Sequence, residues 1–202
     1  LSLGEAPREG AVYDSNRYTV FGLLTRLGVE VIDLGVVRDE PAQLEAAFRK
    51  AAQQADAIIT SGGVSVGEED HLRNAVLAEG GLDFWALAIK PGKPFVFGWI
   101  HRADGSRALY MGLPGNPVAS FVTFLLLVRP VLGLLAGEGW HLPQAVSLVS
   151  DFSWPKPDKR REFLRARLDA QGRVVLHPHQ GSGVLSSAAW AEGVVDLPSG
   201  TI

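Results

Sequence analysis

The stretch from Asp56 to Asp70 constrains the fold of this chain more than any other part of the sequence. Ala57–Ile59 is a short apolar run rich in β-branched residues, which is typical of a strand buried in a parallel sheet. The run ends at Ser61–Gly63, where two glycines permit positive φ. The backbone N–H groups of this turn, with the Ser61 and Ser65 hydroxyls, can then face an anion. We therefore expect a strand, a glycine turn and a helix that together bind an anionic ligand.

Asp70 closes this stretch at the predicted start of the next helix. As an N-cap, its carboxylate would accept a hydrogen bond from a free backbone N–H. Beside an anion site, the same carboxylate could instead bind a divalent metal. The two roles are compatible, and the sequence leaves both open.

Strands and helices alternate through the first part of the chain. The predicted strand Val29–Val37 precedes a helix that opens at Pro41, and the strand at Asp56–Thr60 precedes a helix at Asp70–Glu79. This order predicts an α/β domain, a three-layer α/β/α sandwich with a mostly parallel sheet. Ligands of such sheets bind at the carboxyl edge, so we expect Asp39 and Asp70 to converge there.

A lysine-rich loop follows the next predicted strand, Phe84–Ile89. In this loop Lys90 and Lys93 alternate with two prolines and a glycine. Proline rings restrict the backbone, so less entropy is lost when the lysines bind a ligand. A solvated surface loop is the simpler alternative, but it would not need such rigidity. We predict an anion site.

A hairpin and a long helix come next. Phe95–Ile100 and Ala108–Gly112 pair across the turn Ala103–Ser106, whose Asp-Gly pair is a strong hairpin signal. The turn Leu113–Pro117 then opens a helix with apolar residues around its circumference from Val118 onwards. Such a helix should be buried, partly against another subunit.

The pattern changes at about Trp140 to short alternating strands, which predicts a small all-β, barrel-like domain. We therefore divide the chain into an α/β domain, residues 1–139, and a β domain, residues 140–202. In the predicted strand Phe163–Leu168, Arg165 and Arg167 share one face. The simplest interpretation places that face in solvent.

Composition excludes several classes of function. The 202 residues include 19 Lys and Arg against 22 Asp and Glu, a net charge of −3, which gives no basic field for nucleic acid. The absence of cysteine excludes disulfides and thiolate metal sites. The apolar run within Val118–Leu135 is interrupted by Arg129-Pro130 and is too short for a bilayer span. We expect a cytoplasmic protein that binds neither nucleic acid nor membranes.

Four motifs, YDSN, SGGVSVGEED, KPGKP and GLPGNP, occur in this order along the chain. Together they resemble the molybdopterin molybdenumtransferase family, which includes the C-terminal part of gephyrin, and the resemblance covers nearly the whole chain. It implies an enzyme that inserts molybdate into adenylylated molybdopterin with release of AMP in a Mg²⁺-dependent step. The partners that it implies are these small-molecule substrates, a second copy in a homodimer, and the molybdopterin adenylyltransferase.

The resemblance also implies which residues form the site. Asp39 and Asp70 would bind Mg²⁺ and, with Lys90, take part in catalysis. The residues implied in substrate binding are Asp14, Asn16, Ser61, Gly62, Gly63, Ser65, Lys93, Pro114, Gly115, Asn116, Pro117, Arg160 and Ser182. For Asp14 and Asn16, the residues themselves slightly favour helix capping over ligand contact.

The chain departs from the family pattern in two respects. Ala86 stands where the family often carries a lysine, so one positive charge is absent. A glutamate of a GDE motif and further N-terminal domains usually precede the position of Leu1, which implies that the first strand of the domain is missing. The chain alone is therefore expected to be incomplete as an enzyme.

Three other functions remain open. A molybdopterin adenylyltransferase or a damage-inducible deamidase-like domain would share the core fold and a Gly-Gly turn. The β domain after Trp140 argues against both, because those relatives resemble single-domain proteins at this point. A non-catalytic scaffold module is the third alternative, and partner-peptide binding would distinguish it.

Overall fold

A computed structural model of the chain describes residues 1, 4–64, 71–84, 86–155 and 157–201. The chain forms two compact units: the first unit contains Leu1–Trp85 and Val96–Gly115, and the second unit contains Ala86–Phe95 and Asn116–Ile202. The long helix thus groups with the C-terminal strands. Compact units need not coincide with domains, so the boundary between residues 139 and 140 stays a prediction.

The described residues form six α-helices, one π-helical turn and eight strands. In chain order these are α1 (Ser15–Arg26), α2 (Pro41–Gln54), β1 (Ala57–Ser61), α3 (His71–Glu79), β2 (Gly80–Phe84), β3 (Ile89–Lys90), β4 (Val96–His101), β5 (Arg107–Leu113), α4 (Pro117–Thr123), the π turn (Phe124–Val128), α5 (Arg129–Leu135), β6 (Arg161–Leu168), β7 (Val174–Leu176), α6 (Ser186–Trp190) and β8 (Gly193–Leu197).

The sheet of the first unit has the strand order β1-β5-β4-β2. β1 is parallel to β5, whereas the β4–β5 and β2–β4 pairs are antiparallel. The predicted α/β class is confirmed, but the described sheet is mixed rather than mostly parallel. The hairpin accounts for much of the difference, because two strands joined by a short turn must run in opposite directions.

Helices α2 and α3 supply the apolar residues that pack on this sheet. The buried residues of this core are Leu44, Phe48, Ala51, Ala52, Ile58, Val64, Leu72, Ala75, Val76, Val96, Ile100, Ala108 and Tyr110. Pro41 stands in the first turn of α2, as predicted, where its missing N–H costs no helical hydrogen bond.

The predicted strand Val29–Val37 is wrong for the described structure. Residues 29–37 belong to no strand there. Gly35 has φ of +75° and donates its N–H to the Asp33 carboxylate at 2.9 Å, and Ile32 and Val36 are 46% and 62% exposed. β-branched composition favours extended backbone, but a strand also needs a hydrogen-bonding neighbour. The argument that a sheet strand delivers Asp39 to the carboxyl edge therefore loses its basis.

The predicted strand Phe84–Ile89 is also placed differently. The structure has β2 at Gly80–Phe84 and only the two-residue β3 at Ile89–Lys90. Glycine usually weakens a strand, but Gly80 and Gly81 of β2 permit close contact with the neighbouring strand β4. A Cβ on Gly81 would overlap the Trp99 indole, and a Cβ on Gly98 would overlap the Gly81 carbonyl oxygen.

The predicted hairpin is confirmed by β4 and β5. Val96 pairs with Gly112 at one end of the pair and His101 with Arg107 at the other. The Asp104 carboxylate accepts a hydrogen bond from the Ser106 N–H at 2.9 Å. Asp104 thereby fixes the turn, which explains why this short sequence signal was reliable.

In the second unit, β6 pairs with β3, β7 and β8. α4, the π turn and α5 follow one another directly along Pro117–Leu135. Val118 and Val122 of α4 pack with Phe163 of β6. By length and composition alone this helical stretch could cross a membrane, but half of it is buried within the protein, as in a core helix.

The π turn has an identifiable cause in the sequence. The Arg129 N–H donates to the Phe124 carbonyl, five residues earlier. Pro130 lacks an N–H, and in a regular α-helix its ring would clash with the Leu126 carbonyl. Widening the helix by one residue relieves that clash without ending the helix.

The close contact between β2 and β4 predicts that a glycine substitution there and one in an open position will have opposite effects. Gly98→Ala should lower the free energy of unfolding by about 2 kcal/mol or more, because the added Cβ overlaps the Gly81 carbonyl. Gly22→Ala in α1, where a Cβ would meet no atom within 4 Å, should raise it by about 0.5–1 kcal/mol. Urea denaturation of both variants measures the two changes in the free energy of unfolding. Equal changes would contradict the close contact between β2 and β4.

Candidate functional site

In the first unit, the carboxyl ends of β1 and β5 bring two loops together. The parallel register pairs Ser61 at the end of β1 with Leu113 at the end of β5. The Gly62 N–H donates to the Leu113 carbonyl at 3.1 Å. The Gly62 Cα lies 3.6 Å from the position that a Cβ on Gly115 would occupy. The loops that follow these two strands are therefore neighbours.

The glycine turn after β1 leaves space on its surface. Gly62 and Gly63 have φ of +83° and +69°, which L-residues with side chains rarely adopt. A Cβ on Gly62 would meet no atom within 4 Å, whereas one on Gly63 would lie 3.3 Å from Leu72. Backbone conformation thus requires glycine at position 62, and open space lies beside it.

Asn16 connects the start of α1 to the loop after β5. Its side chain is buried, with 6% of the residue exposed. The Nδ2 atom donates to the Gly115 carbonyl at 2.8 Å and to the Pro114 carbonyl at 3.5 Å. Asn16, Ser61–Gly63, Pro114 and Gly115, all predicted site residues, therefore form one cluster, the carboxyl-edge cluster.

Asp14 has the capping role that the sequence favoured. Its carboxylate accepts a hydrogen bond from the Arg17 N–H at 3.2 Å and caps α1. Asn16, for which capping was also favoured, instead bonds to carbonyls across the unit. A ligand contact by either residue stays a prediction.

The predicted metal pair is only partly described. Asp39 lies in an exposed bend just before α2. Asp70 and Ser65 lie outside the described residues, so the predicted convergence of Asp39 with Asp70 stays a prediction. Within the described ranges, no group of three or more His, Asp or Glu side chains is arranged to hold a metal ion.

In the second unit, Lys90 is held by two carboxylates. Its Nζ lies 2.8 Å from Glu162 Oε1 and 3.2 Å from Asp158 Oδ2. The hydrogen bond to Glu162 raises the pKa of Lys90, with a smaller contribution from Asp158. Glu162 is 3% exposed and also accepts a hydrogen bond from the Trp154 indole at 2.9 Å. Lys90 is thus firmly positioned and already paired with negative charge.

Arg160 is paired in the same network. Its Nε and Nη2 atoms donate to the two oxygens of Asp158, each at 3.0 Å, and its backbone N–H donates to the same carboxylate at 2.9 Å. These bonds hold the pKa of Asp158 well below its usual range. Lys90, Asp158, Arg160 and Glu162, the charged quartet, contain two positive and two negative charges. The sequence predicted the two cations and missed both carboxylates.

Arg165 corrects the interpretation of β6. The sequence placed it on a solvated face, but the residue is 1% exposed. Its guanidinium donates to Ser187 Oγ at 3.2 Å and to the Phe163 and Gly181 carbonyls at 3.4 and 3.2 Å. Burial lowers its pKa. The alternation rule failed because the middle of β6 is covered on both faces, whereas Arg167 near its end is exposed.

The turn before α6 is built around the same arginine. The Gln180 side chain accepts from the Arg165 N–H and donates to the Arg165 carbonyl, both at 2.9 Å. The Ser182 carbonyl accepts from the Val118 N–H at 2.9 Å. Ser182, a predicted binding residue, therefore follows a turn fixed by a buried cation. No local sequence signal identified Arg165, because its partners Gln180, Gly181 and Ser187 lie 15–22 residues further along the chain.

The loop from Lys90 to Pro94 is tightly packed. Gly92 has φ of +120°, and a Cβ there would lie 2.5 Å from Thr123 Cγ2. Lys93 is exposed, as is Asn116, while Pro117 is half-buried at the start of α4. Anion binding by these residues stays a prediction.

Two family models match the chain. Residues 1–133 match the family described as "Probable molybdopterin binding domain", and residues 147–202 match the MoeA C-terminal region (domain IV). The chain thus contains both parts in the order that the sequence motifs predicted.

Similar proteins and structures agree with these matches. The chain is 41% identical over 192 residues to the molybdopterin molybdenumtransferase of Haemophilus influenzae, covering 93% of the chain and 46% of that protein. It is 32% identical to that of Nostoc, covering 99% of the chain and 47% of that protein. The molybdopterin biosynthesis MoeA protein of Pyrococcus horikosii has a similar crystal structure, with a TM-score of 0.78 and 30% identity over 98% of the chain and 47% of that protein. The chain spans about half the length of these relatives.

The charged quartet predicts a pH-dependent stability. Because the folded protein holds the pKa of Asp158 below its ordinary value, this carboxylate stabilises the fold above about pH 4, and the contribution is lost as the pH falls further. Asp158→Asn should therefore lower stability at about pH 7 and have a progressively smaller effect below about pH 4. Urea denaturation across this range tests it, with the exposed Asp83→Asn as the control variant. A constant effect of Asp158→Asn at all pH values would contradict it.

Proposed function

The chain belongs to the molybdopterin-binding domain family, and on that premise we propose that it performs the molybdenum-inserting step of cofactor assembly. Adenylylated molybdopterin and molybdate would be the substrates, and molybdenum cofactor and AMP the products. The observation that carries this proposal is the presence of both family parts, at residues 1–133 and 147–202, in one chain. The second part favours this reaction over the adenylyltransferase-like and deamidase-like alternatives, which lack it.

In the first unit, the carboxyl-edge cluster supports binding of the organic substrate. Ser61 contributes a hydroxyl, and open space lies beside Gly62, whose own N–H is bonded to the Leu113 carbonyl. Asn16, Pro114 and Gly115 lie against them. We assign these residues, with Asp14 and Ser65, to substrate binding. From the family motif we also assign Asn116 and Pro117, which belong to the second unit.

In the second unit, Arg165 supports an anion site beside Ser182. Its described hydrogen bonds go to a hydroxyl and two carbonyls, and none of the described ion pairs includes it. A buried guanidinium without a carboxylate favours an anionic ligand, because its charge is not yet compensated. We assign Ser182, Arg160, Lys90 and Lys93 to the oxyanion groups, with Arg165 as an addition to the predicted set.

Asp39 and Asp70 are the proposed Mg²⁺ ligands. Carboxylate oxygens are the hard ligands that Mg²⁺ prefers, and the exposed position of Asp39 leaves its carboxylate accessible. When bound, the metal would assist departure of the adenylyl group by stabilising the developing charge. Lys90 is proposed as a catalytic residue from the family motif, with its ammonium group held by the two carboxylates of the charged quartet.

We further propose a cytoplasmic homodimer that receives its substrate from a molybdopterin adenylyltransferase. Leu134 and Leu135 support the dimer, because these large apolar residues of α5 are 53% and 48% exposed. Neither nucleic acid nor a membrane is proposed as a partner.

The direct test measures AMP release by the full-length protein that contains this chain. With adenylyl-molybdopterin, molybdate and Mg²⁺, we expect AMP release that requires molybdate and stops when EDTA removes the metal. Molybdenum bound to the pterin product should form in equal amount. No molybdate-dependent AMP release would contradict the proposed function.

Arg165 provides a residue-level prediction with a matched control. Arg165→Gln should lower molybdate-dependent AMP release by about tenfold or more, because the buried charge is lost. Arg167→Gln on the same strand, whose exposed guanidinium lies over Trp190, should leave the rate within about twofold. Thermal melting identifies any loss of fold, and Arg165→Lys, which keeps the charge, should recover part of the rate. Equal rates for the two Gln variants would contradict the assignment of Arg165.

A further inference from the structure

The orientation of the buried Asn16 amide is determined by its surroundings. Both groups that face it at hydrogen-bond distance, the Pro114 and Gly115 carbonyls, can only accept hydrogen bonds. The Nδ2 atom must therefore point toward them, since an oxygen in that position would repel both. The Oδ1 atom consequently points the other way.

The Oδ1 atom of Asn16 has no hydrogen-bond partner in the described structure, although it is buried. Buried acceptors are rarely left unpaired, because removing them from water is unfavourable unless a donor replaces the lost water. The side chain could avoid this cost only by breaking its bonds to the β5 loop. An unpaired acceptor in the carboxyl-edge cluster therefore indicates a group that is added when a ligand binds.

We infer that Asn16 Oδ1 accepts a hydrogen bond from an N–H group of the substrate's pterin ring, which makes Asn16 a specificity-determining residue. This inference rests on the proposed function, which supplies the pterin. The amino and lactam N–H groups of a pterin can donate, whereas molybdate and the dianion of a phosphate monoester carry no proton to donate. The first unit would thus select the heterocyclic end of the substrate.

The carboxyl-edge cluster that contains Asn16 has room for a ligand beside Gly62. Gly62 and Gly63 expose peptide backbone, and a Cβ on Gly62 would meet open space. Asn16 is connected to this turn through Gly115, whose carbonyl it binds and whose Cβ position would lie 3.6 Å from the Gly62 Cα. The sequence predicted that the Ser61–Gly63 turn binds an anion. This inference changes that prediction, because an unpaired acceptor in the same cluster disfavours an anionic ligand.

The test is a thermodynamic cycle in which the ligand's N–H donors and the Asn16 side chain are removed separately and together. Calorimetric titration of the full chain would use pterin, N2,N2-dimethylpterin and 3-methylpterin, each methylated analogue lacking one class of N–H donor. We expect at least one analogue to bind about tenfold more weakly than pterin to the wild-type chain. In Asn16→Ala this discrimination should fall to about twofold, while Asn74→Ala, an exposed asparagine of α3, should retain it.

Molybdate, a dianion without a proton to donate, provides the second readout. Its affinity should be unchanged in Asn16→Ala, and an equal loss for molybdate and pterin would overturn the inference. Absence of pterin binding, or discrimination that persists in Asn16→Ala, would overturn it as well. If circular dichroism shows that Asn16→Ala is unfolded, Asn16→Ser replaces it in the same cycle. Pterin discrimination without AMP release by the full-length protein would reject the proposed function alone, and AMP release without discrimination would reject this inference alone.

Discussion

The parallel pairing of β1 with β5 is the constraint on which the first unit depends. Five consecutive residues of each strand are in register, from Ala57 with Leu109 to Ser61 with Leu113. Parallel strands end at the same edge, so the two loops that follow them must meet. Asn16 then joins the start of α1 to one of these loops. The candidate binding surface of this unit therefore follows from strand direction, and one buried amide completes it.

The cationic side chains of the second unit have two different kinds of partner. In the charged quartet, each cation has a carboxylate within 3.2 Å, so these side chains are positioned at little net charge. Arg165 is buried more deeply, and its described hydrogen-bond partners are all neutral. Its positive charge is therefore not compensated by a described carboxylate, unlike those of Lys90 and Arg160. Position along the chain does not distinguish these cases, because Arg160 and Arg165 are five residues apart on or beside the same strand.

Local signals in the sequence predicted local structure well. The Asp104-Gly105 turn, the proline that opens α2 and the Asp14 cap act through neighbouring backbone, and each is confirmed. The predictions that failed depended on distant neighbours. Val29–Val37 needed a strand partner, and Arg165 needed knowledge that both faces of β6 are covered. For the candidate site, the motifs identified the loops, but the pairing of Lys90 and Arg160 with Asp158 became visible only in three dimensions.

The π turn within the long helix has a consequence for how this sequence tolerates change. One extra residue in a helical turn rotates every later side chain by about 100° relative to a continuous α-helix. The apolar stripe of α4 that contacts Phe163 therefore does not continue in line along α5. A single-residue deletion within Phe124–Val128 would realign the two stripes and turn Leu134 and Leu135 to a new direction. In this helix, length and orientation are coupled, so even one lost residue alters which surfaces the protein presents.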